Sequence, residues 1–163
     1  MEFGVLLPHF GEHADRNILL NCASSLERFN FNSLWVRDHM LWSPHEIEGD
    51  DQTFLETFVV LASIASITQR IKLGTAVLIP GRHPLKLAQS LAALSWISEG
   101  RVIAGLGLGS NAKELHSVGV SMDDREKVFQ ETVDILRLVW TNDNVSWAGP
   151  RYQFEDVTMC PKP

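Results

Sequence analysis

Four short apolar runs recur along the chain, at residues 3–7, 33–36, 71–73 and 101–106, and a stretch with helical spacing follows each one. Near-continuous apolar strands alternating with helices predict an α/β fold, a parallel sheet covered by helices. The helices carry signals of their own. Asp15 is placed to cap the first, whose buried stripe reads Leu19, Cys22, Ala23 and Leu26. Thr53-Phe54-Leu55-Glu56 has the form of a capping box and opens the second, with Leu55, Phe58, Val59 and Ala62 facing inward. The third follows Pro84, with Leu87, Ala88, Leu91 and Leu94 as its stripe. The fourth follows Ser121-Met122-Asp123-Asp124, and Val128, Thr132, Ile135, Leu136 and Val139 form its inner face.

Beyond Trp140 the period changes. Val145-Ser146-Trp147 and Tyr152-Gln153-Phe154 flank Ala148-Gly149-Pro150-Arg151, which predicts a β-hairpin after the fourth helix. No internal domain boundary is visible. Two architectures accommodate four strand–helix units: an open doubly wound sheet, or half of a (β/α)8 barrel, which typically takes about 250 residues. The length of 163 residues favours the open sheet. The residues at the strand ends favour the barrel.

Composition narrows the function classes. Hydrophobic residues make up 45% of the chain and charged residues 21%, enough apolar material for a sizeable core. The net charge is −6 and the basic residues are scattered. A nucleic-acid or anionic-membrane surface needs a clustered basic footprint, so neither partner is expected. Cys22 and Cys160 read as reduced thiols, and no apolar stretch is long enough to span a bilayer. With no basic leader at its start, the chain is expected to be cytoplasmic.

In either architecture, ligands bind at the carboxyl ends of the strands. Strand one is followed by Pro8, His9 and Phe10, and strand two by Arg37, Asp38 and His39. Strand three leads to Thr75, Ala76 and Val77, and strand four to Gly107, Gly109, Ser110 and Asn111. Asp38-His39 is the sharpest pair, because a carboxylate beside an imidazole can orient it or hold it as a base or donor. The other reading is that Asp38 caps a turn and His39 is incidental. The run from Gly105 to Ser110 fits the dinucleotide pattern G-x-G-x-x-G poorly, since Ser110 takes the last glycine position. Its glycines make room for a flat ring or for tight strand–loop packing. His9, His13, His45, His83 and His116 have no metal spacing, and no metal is expected. Of the five tryptophans, Trp42 is the one placed to line a pocket.

Taken together, these residues resemble the luciferase-like monooxygenase superfamily. The resemblance is carried by Leu34-Trp35-Val36-Arg37-Asp38-His39, by Ile71-Lys72-Leu73-Gly74-Thr75-Ala76-Val77, and by Arg82-His83-Pro84. Leu94-Ser95-Trp96-Ile97-Ser98-Glu99-Gly100-Arg101 is similar to the family's T-L-D-x-L-S-x-G-R stretch. Glu114, Gly119, Arg125 and the closing 152–163 segment continue the match in order. The resemblance implies a (β/α)8 barrel of the luciferase-like type, of which residues 1–163 supply the N-terminal half: four βα units plus a hairpin. It implies a flavin-type cofactor, nearest in wording to coenzyme F420-dependent oxidoreductases, with FMN as the alternative.

By the same resemblance, Asp38 and His39 lie against the cofactor, with His39 as proton donor, acceptor or ring partner. Ala76–Val77 is a non-prolyl cis peptide behind the ring, Thr75 precedes it, and the loop of Gly107, Gly109, Ser110 and Asn111 runs along the cofactor. Some relatives carry a glutamate where this chain has Ser110, and their asparagine aligns nearer Lys113 than Asn111, so a sugar-phosphate dehydrogenase is not implied. The expected activity is hydride transfer to or from a small organic substrate. The alternatives are an FMN-dependent monooxygenase and a non-catalytic half-barrel that binds partners. A half-barrel leaves an open face, so a homo-oligomer or pairing with a C-terminal half is expected.

Overall fold

The computed structural model describes residues 1–43 and 49–163, so His45 lies outside the described residues. The chain divides into two compact units, Met1–Leu78 with Ile97–Leu106, and Ile79–Trp96 with Gly107–Pro163.

The first unit is built on four parallel strands, β1 (Gly4–Leu6), β2 (Ser33–Val36), β3 (Lys72–Thr75) and β4 (Val102–Ile103), hydrogen-bonded in the order β1-β2-β3-β4. A doubly wound sheet reverses its strand order at a switch point. This one runs in a single sense, as the strands of a βα barrel do, and that removes the open-sheet alternative. In-register rows run Val5–Leu34–Leu73–Val102 on one face and Leu6–Trp35–Gly74–Ile103 on the other. Leu34 and Leu73 are fully buried, whereas Leu6 is 43% exposed. The Trp35 indole lies across Gly4 and Gly74, where an added Cβ would overlap the ring, and its Nε1–H donates to Ser33 Oγ at 2.9 Å.

Helix α1 (Arg16–Arg28) starts as expected: Asp15 accepts from the amides of Asn17 and Ile18. Leu19, Ala23 and Leu26 of its stripe are buried, and Cys22 is half-buried. Helix α2 (Thr57–Ala65) corrects the expected capping box. It begins four residues beyond Thr53, and its N-cap is Glu56, whose carboxylate accepts from Val59 N–H. The 53–55 segment is taken instead by an antiparallel bridge between Phe54 and Phe10. Gly11 N–H donates to Thr53 O at 2.7 Å and Leu55 N–H to His9 O at 3.1 Å. Backbone pairing with a residue from another loop outcompetes the local cap.

Two side chains fasten the amino ends of the strands. Glu27, in the last turn of α1, accepts from three successive amides, those of Gln69, Arg70 and Ile71, at 2.6–3.0 Å. Arg101, just before β4, donates to Ser98 O, Thr68 Oγ1, Ile71 O, Ala65 O and Thr68 O at 2.8–3.1 Å. Those contacts match the five donors of a guanidinium. They also place a cation on Ala65 O, the last carbonyl of α2, where the helix dipole favours one.

The second unit holds α3 (Pro84–Ile97, with Ile97 itself in the first unit), α4 (Ala112–Ser117) and α5 (Arg125–Thr141). The hairpin follows, as β5 (Val145–Ala148) and β6 (Gln153–Val157). The expected stripes of α3 and α5 are buried. Helix α4 was not expected. Ser121 and Asp124 do exchange reciprocal hydrogen bonds at 2.8 and 3.0 Å one turn before α5, although Asp124 makes no side-chain cap. Glu131, buried on α5, fixes the hairpin: its Oε1 accepts from Trp147 Nε1–H at 3.0 Å and Tyr152 N–H at 3.2 Å.

Candidate functional site at the strand carboxyl ends

Within the first unit, the carboxyl ends of β1, β2 and β3 carry polar and aromatic side chains close together. The β2–β3 ladder ends at Val36↔Thr75, and one further bond, Ala76 N–H to Val36 O at 2.7 Å, continues it. Ala76–Val77 is a cis peptide, as the resemblance implied. Both residues are exposed, Val77 at 41%, so this strand end presents a small apolar surface. Thr75 behind it is fully buried. Its hydroxyl donates to Gly105 O and accepts from Gly105 N–H, both at 2.9 Å. A Cβ on Gly105 would overlap the Thr75 carbonyl oxygen. This glycine therefore serves tight strand–loop packing, one of the two readings its sequence allowed.

At the end of β2, Asp38 is 3% exposed and His39 is half-buried. The His39 ring meets Phe54 edge-on at 5.5 Å and Trp42 at 5.2 Å between centroids. Phe10 adds to the wall, 4.9 Å from Trp42, and the Arg37 guanidinium sits 4.5 Å above the Phe10 ring. The Thr57 hydroxyl, at the first position of α2, faces the Arg37 carbonyl at 2.8 Å and Asp38 Oδ1 at 3.0 Å. His9 is fully buried at the end of β1. Its Nδ1 lies 3.2 Å from Leu7 O and its Nε2 3.1 Å from Arg37 O. Burial holds the His9 imidazole below its ordinary range, against the opposing effect of these two carbonyls, so the neutral ring is favoured.

The first unit thus brings together Asp38, His39, Thr75, Ala76 and Val77. Gly107, Gly109, Ser110 and Asn111 belong to the second unit. There Gly109 has φ +77°, and the Asn111 carboxamide oxygen caps α4 by accepting from Lys113 and Glu114 amides at 3.1 and 3.2 Å. That oxygen is committed to the cap, while Ser110 is exposed. Sequence reasoning missed Phe54 and Thr57. It took the first for a helix start and assigned no role to the second. Among the described residues, no three His, Cys, Asp or Glu side chains gather as a metal site, and no helix is long and apolar enough to cross a membrane.

A singly wound parallel sheet with its chemistry collected at the strand carboxyl ends defines a βα-barrel type of site. The profile of the luciferase-like monooxygenase family matches residues 1–163, and the chain belongs to that family. It is 31% identical over 150 residues to an F420-dependent glucose-6-phosphate dehydrogenase of Amycolatopsis mediterranei, covering 89% of this chain and 44% of that protein. Among solved structures, monooxygenase RslO1 of Streptomyces bottropensis superposes with a TM-score of 0.83 at 31% identity, over 99% of this chain and 50% of the other. The oxygenating constituent of 3,6-diketocamphane monooxygenase from Pseudomonas putida, solved in complex with FMN, shares the fold. Its TM-score is 0.79 at 21% identity, over 95% of this chain and 43% of that one. The matched proteins thus include an F420-dependent dehydrogenase at 31% identity, and a monooxygenase solved with FMN shares the fold. The chain spans about half the length of the curated relatives it matches.

Proposed function

We propose that this chain forms the ring-binding side of a deazaflavin (coenzyme F420) site in an oxidoreductase that moves hydride to or from a small organic substrate. The observation that carries the reading is the apolar Ala76–Val77 turn, one residue beyond the β2–β3 ladder and beside the strand end that bears Asp38 and His39. An exposed apolar turn next to an aromatic and imidazole wall suits a flat, partly polar ring. Within the first unit, ring positioning then falls to His39, Asp38, Thr75, Ala76 and Val77.

The bound coenzyme would supply a carbon centre that carries hydride. His39 gives or takes the proton that accompanies hydride movement at the substrate oxygen. Asp38 holds that strand end in place, and Phe10, Trp42 and Phe54 exclude water from it. The substrate-facing walls come from a C-terminal half of the barrel, residues 1–163 forming its N-terminal half, or from association with a further copy. The alternative, an FMN-dependent monooxygenase, draws support for its monooxygenase part from the 31% identity to monooxygenase RslO1.

Separate absorbance titrations of the protein with F420 and with FMN distinguish these readings. Stoichiometric F420 binding, weakened by His39→Ala, is the expected result. Exclusive binding of FMN transfers the conclusion to the monooxygenase, and binding of neither overturns both in favour of a cofactor-free interaction protein.

A further inference from the structure

His9 and Thr57 together present a problem of counting hydrogens. The Arg37 carbonyl faces two side-chain groups, His9 Nε2 at 3.1 Å and the Thr57 hydroxyl at 2.8 Å. The Thr57 hydroxyl faces two acceptors, that carbonyl and Asp38 Oδ1 at 3.0 Å, and has one hydrogen to give. The His9 ring also faces two carbonyls, and a neutral imidazole donates through only one nitrogen. Leu7 O already accepts the His9 backbone N–H at 3.1 Å. Each carbonyl has two lone pairs, and a proton on Nε2 is the assignment that gives every acceptor in the set a donor of its own, Leu7 O keeping the backbone amide. The ring donates to Arg37 O, and the single Thr57 hydrogen is left for the buried Asp38 carboxylate.

We infer that His9 is a positioning residue for Asp38: by donating from Nε2 to the Arg37 carbonyl, it directs the Thr57 hydroxyl onto Asp38 and fixes the strand end that carries His39. The side chain extends the link between β1 and β2 beyond Leu7 N–H to Trp35 O, which lies at the end of their backbone ladder. Phe10 and Phe54, edge-on to the imidazole at 5.5 and 4.8 Å, hold the ring plane in that direction. The relay rests on the proposed role of the Asp38–His39 strand end only for its effect on ring binding. The relay itself is a property of the chain without any cofactor.

The test uses the whole chain, labelled at histidine nitrogens and aspartate carboxyl carbons. Nitrogen NMR is expected to place the His9 proton on Nε2; a proton on Nδ1 overturns the inference. His9→Leu is expected to move the Asp38 carboxyl signal, whereas His9→Gln, which keeps a donor toward Arg37 O, restores it. Adding His9→Leu to Thr57→Val should then change nothing further. An Asp38 signal that stays put in folded His9→Leu refutes the relay. If that variant does not fold, Thr57→Val decides alone: it must move the Asp38 signal and leave His9 on Nε2. With F420, His9→Leu should weaken binding roughly tenfold, the size of one lost hydrogen bond. Absence of cofactor binding by the unmodified chain sinks the proposed function and leaves the NMR result to judge the relay.

Discussion

Replacing Thr75 with Val changes little in shape and removes the hydroxyl that ties β3 to Gly105, two residues beyond β4. That hydroxyl donates to Gly105 O and accepts from Gly105 N–H, both at 2.9 Å, in a side chain with no solvent exposure. Two hydrogen bonds at a net of about 0.5–1.5 kcal/mol each set the gross loss at about 1–3 kcal/mol. The two Gly105 groups are not equally stranded. Its carbonyl keeps Leu78 N–H at 2.8 Å, whereas its N–H retains only Ile103 O at 3.2 Å. The expected loss is therefore near the middle, about 2 kcal/mol, or roughly a 30-fold change in an equilibrium constant.

Amide hydrogen exchange read at Gly105 is the sharpest assay. The variant should exchange there roughly 30-fold faster, and its urea midpoint should fall by about 1 M if the unfolding slope is about 2 kcal/mol per M. Thr75→Ser keeps the hydroxyl and loses one methyl, so exchange at Gly105 should stay near that of the parent. Unchanged exchange in Thr75→Val, or equal acceleration in Thr75→Ser, refutes the reasoning. In the proposed function, the same variant should also weaken ring binding, because Ala76 and Val77 follow Thr75 directly.

Two further predictions concern the opposite end of the strands. Partial burial opposes ionisation of Glu27, but the amides of Ile71, Arg70 and Gln69 outweigh it and hold its carboxyl below the ordinary 4.5. The unfolded chain then binds more protons in acid. The stabilisation by Glu27 is complete above about pH 4.5 and is lost as pH falls through the lower folded value. Glu27→Gln should flatten the stability profile in that window, and identical profiles for parent and variant would rule the effect out. Arg101→Lys keeps the charge but reduces five donors to three and loses the planar fork. A loss of about 1–3 kcal/mol is expected by urea unfolding, moderated because the site is partly wet. A midpoint equal to the parent's would mean that water replaces the guanidinium without cost.

Local rules decided several elements correctly but misplaced the inner face of α2, where Val59 is 66% exposed and Val60, Leu61 and Ile64 are buried instead. Asp15 caps α1 as its position announces, and the stripes of α3 and α5 follow helical spacing. Local rules failed where a distant backbone intervened. Thr53-Phe54-Leu55-Glu56 has the letters of a capping box, but its backbone pairs with Phe10 and the helix waits for Glu56. Of the site, Asp38, His39 and the Ala76–Val77 turn were visible as strand-end residues and through family resemblance. Thr57 and the reach of His9 were not, since their partners lie 19 to 28 residues away and nothing in their own neighbourhood marks them.

Glu27 and Arg101 hold one rim of the sheet entirely through main-chain atoms and a single threonine hydroxyl. Apart from Arg70, whose guanidinium donates to Glu27 O at 3.3 Å and favours its carboxylate, their grip does not depend on which side chains stand at residues 69 to 71. The fold can therefore accept new residues, insertions or whole exchanged loops after its strands while its foundation stays fixed. For a protein engineer, that rim is the part to leave alone, and the loops across from it are the part to diversify.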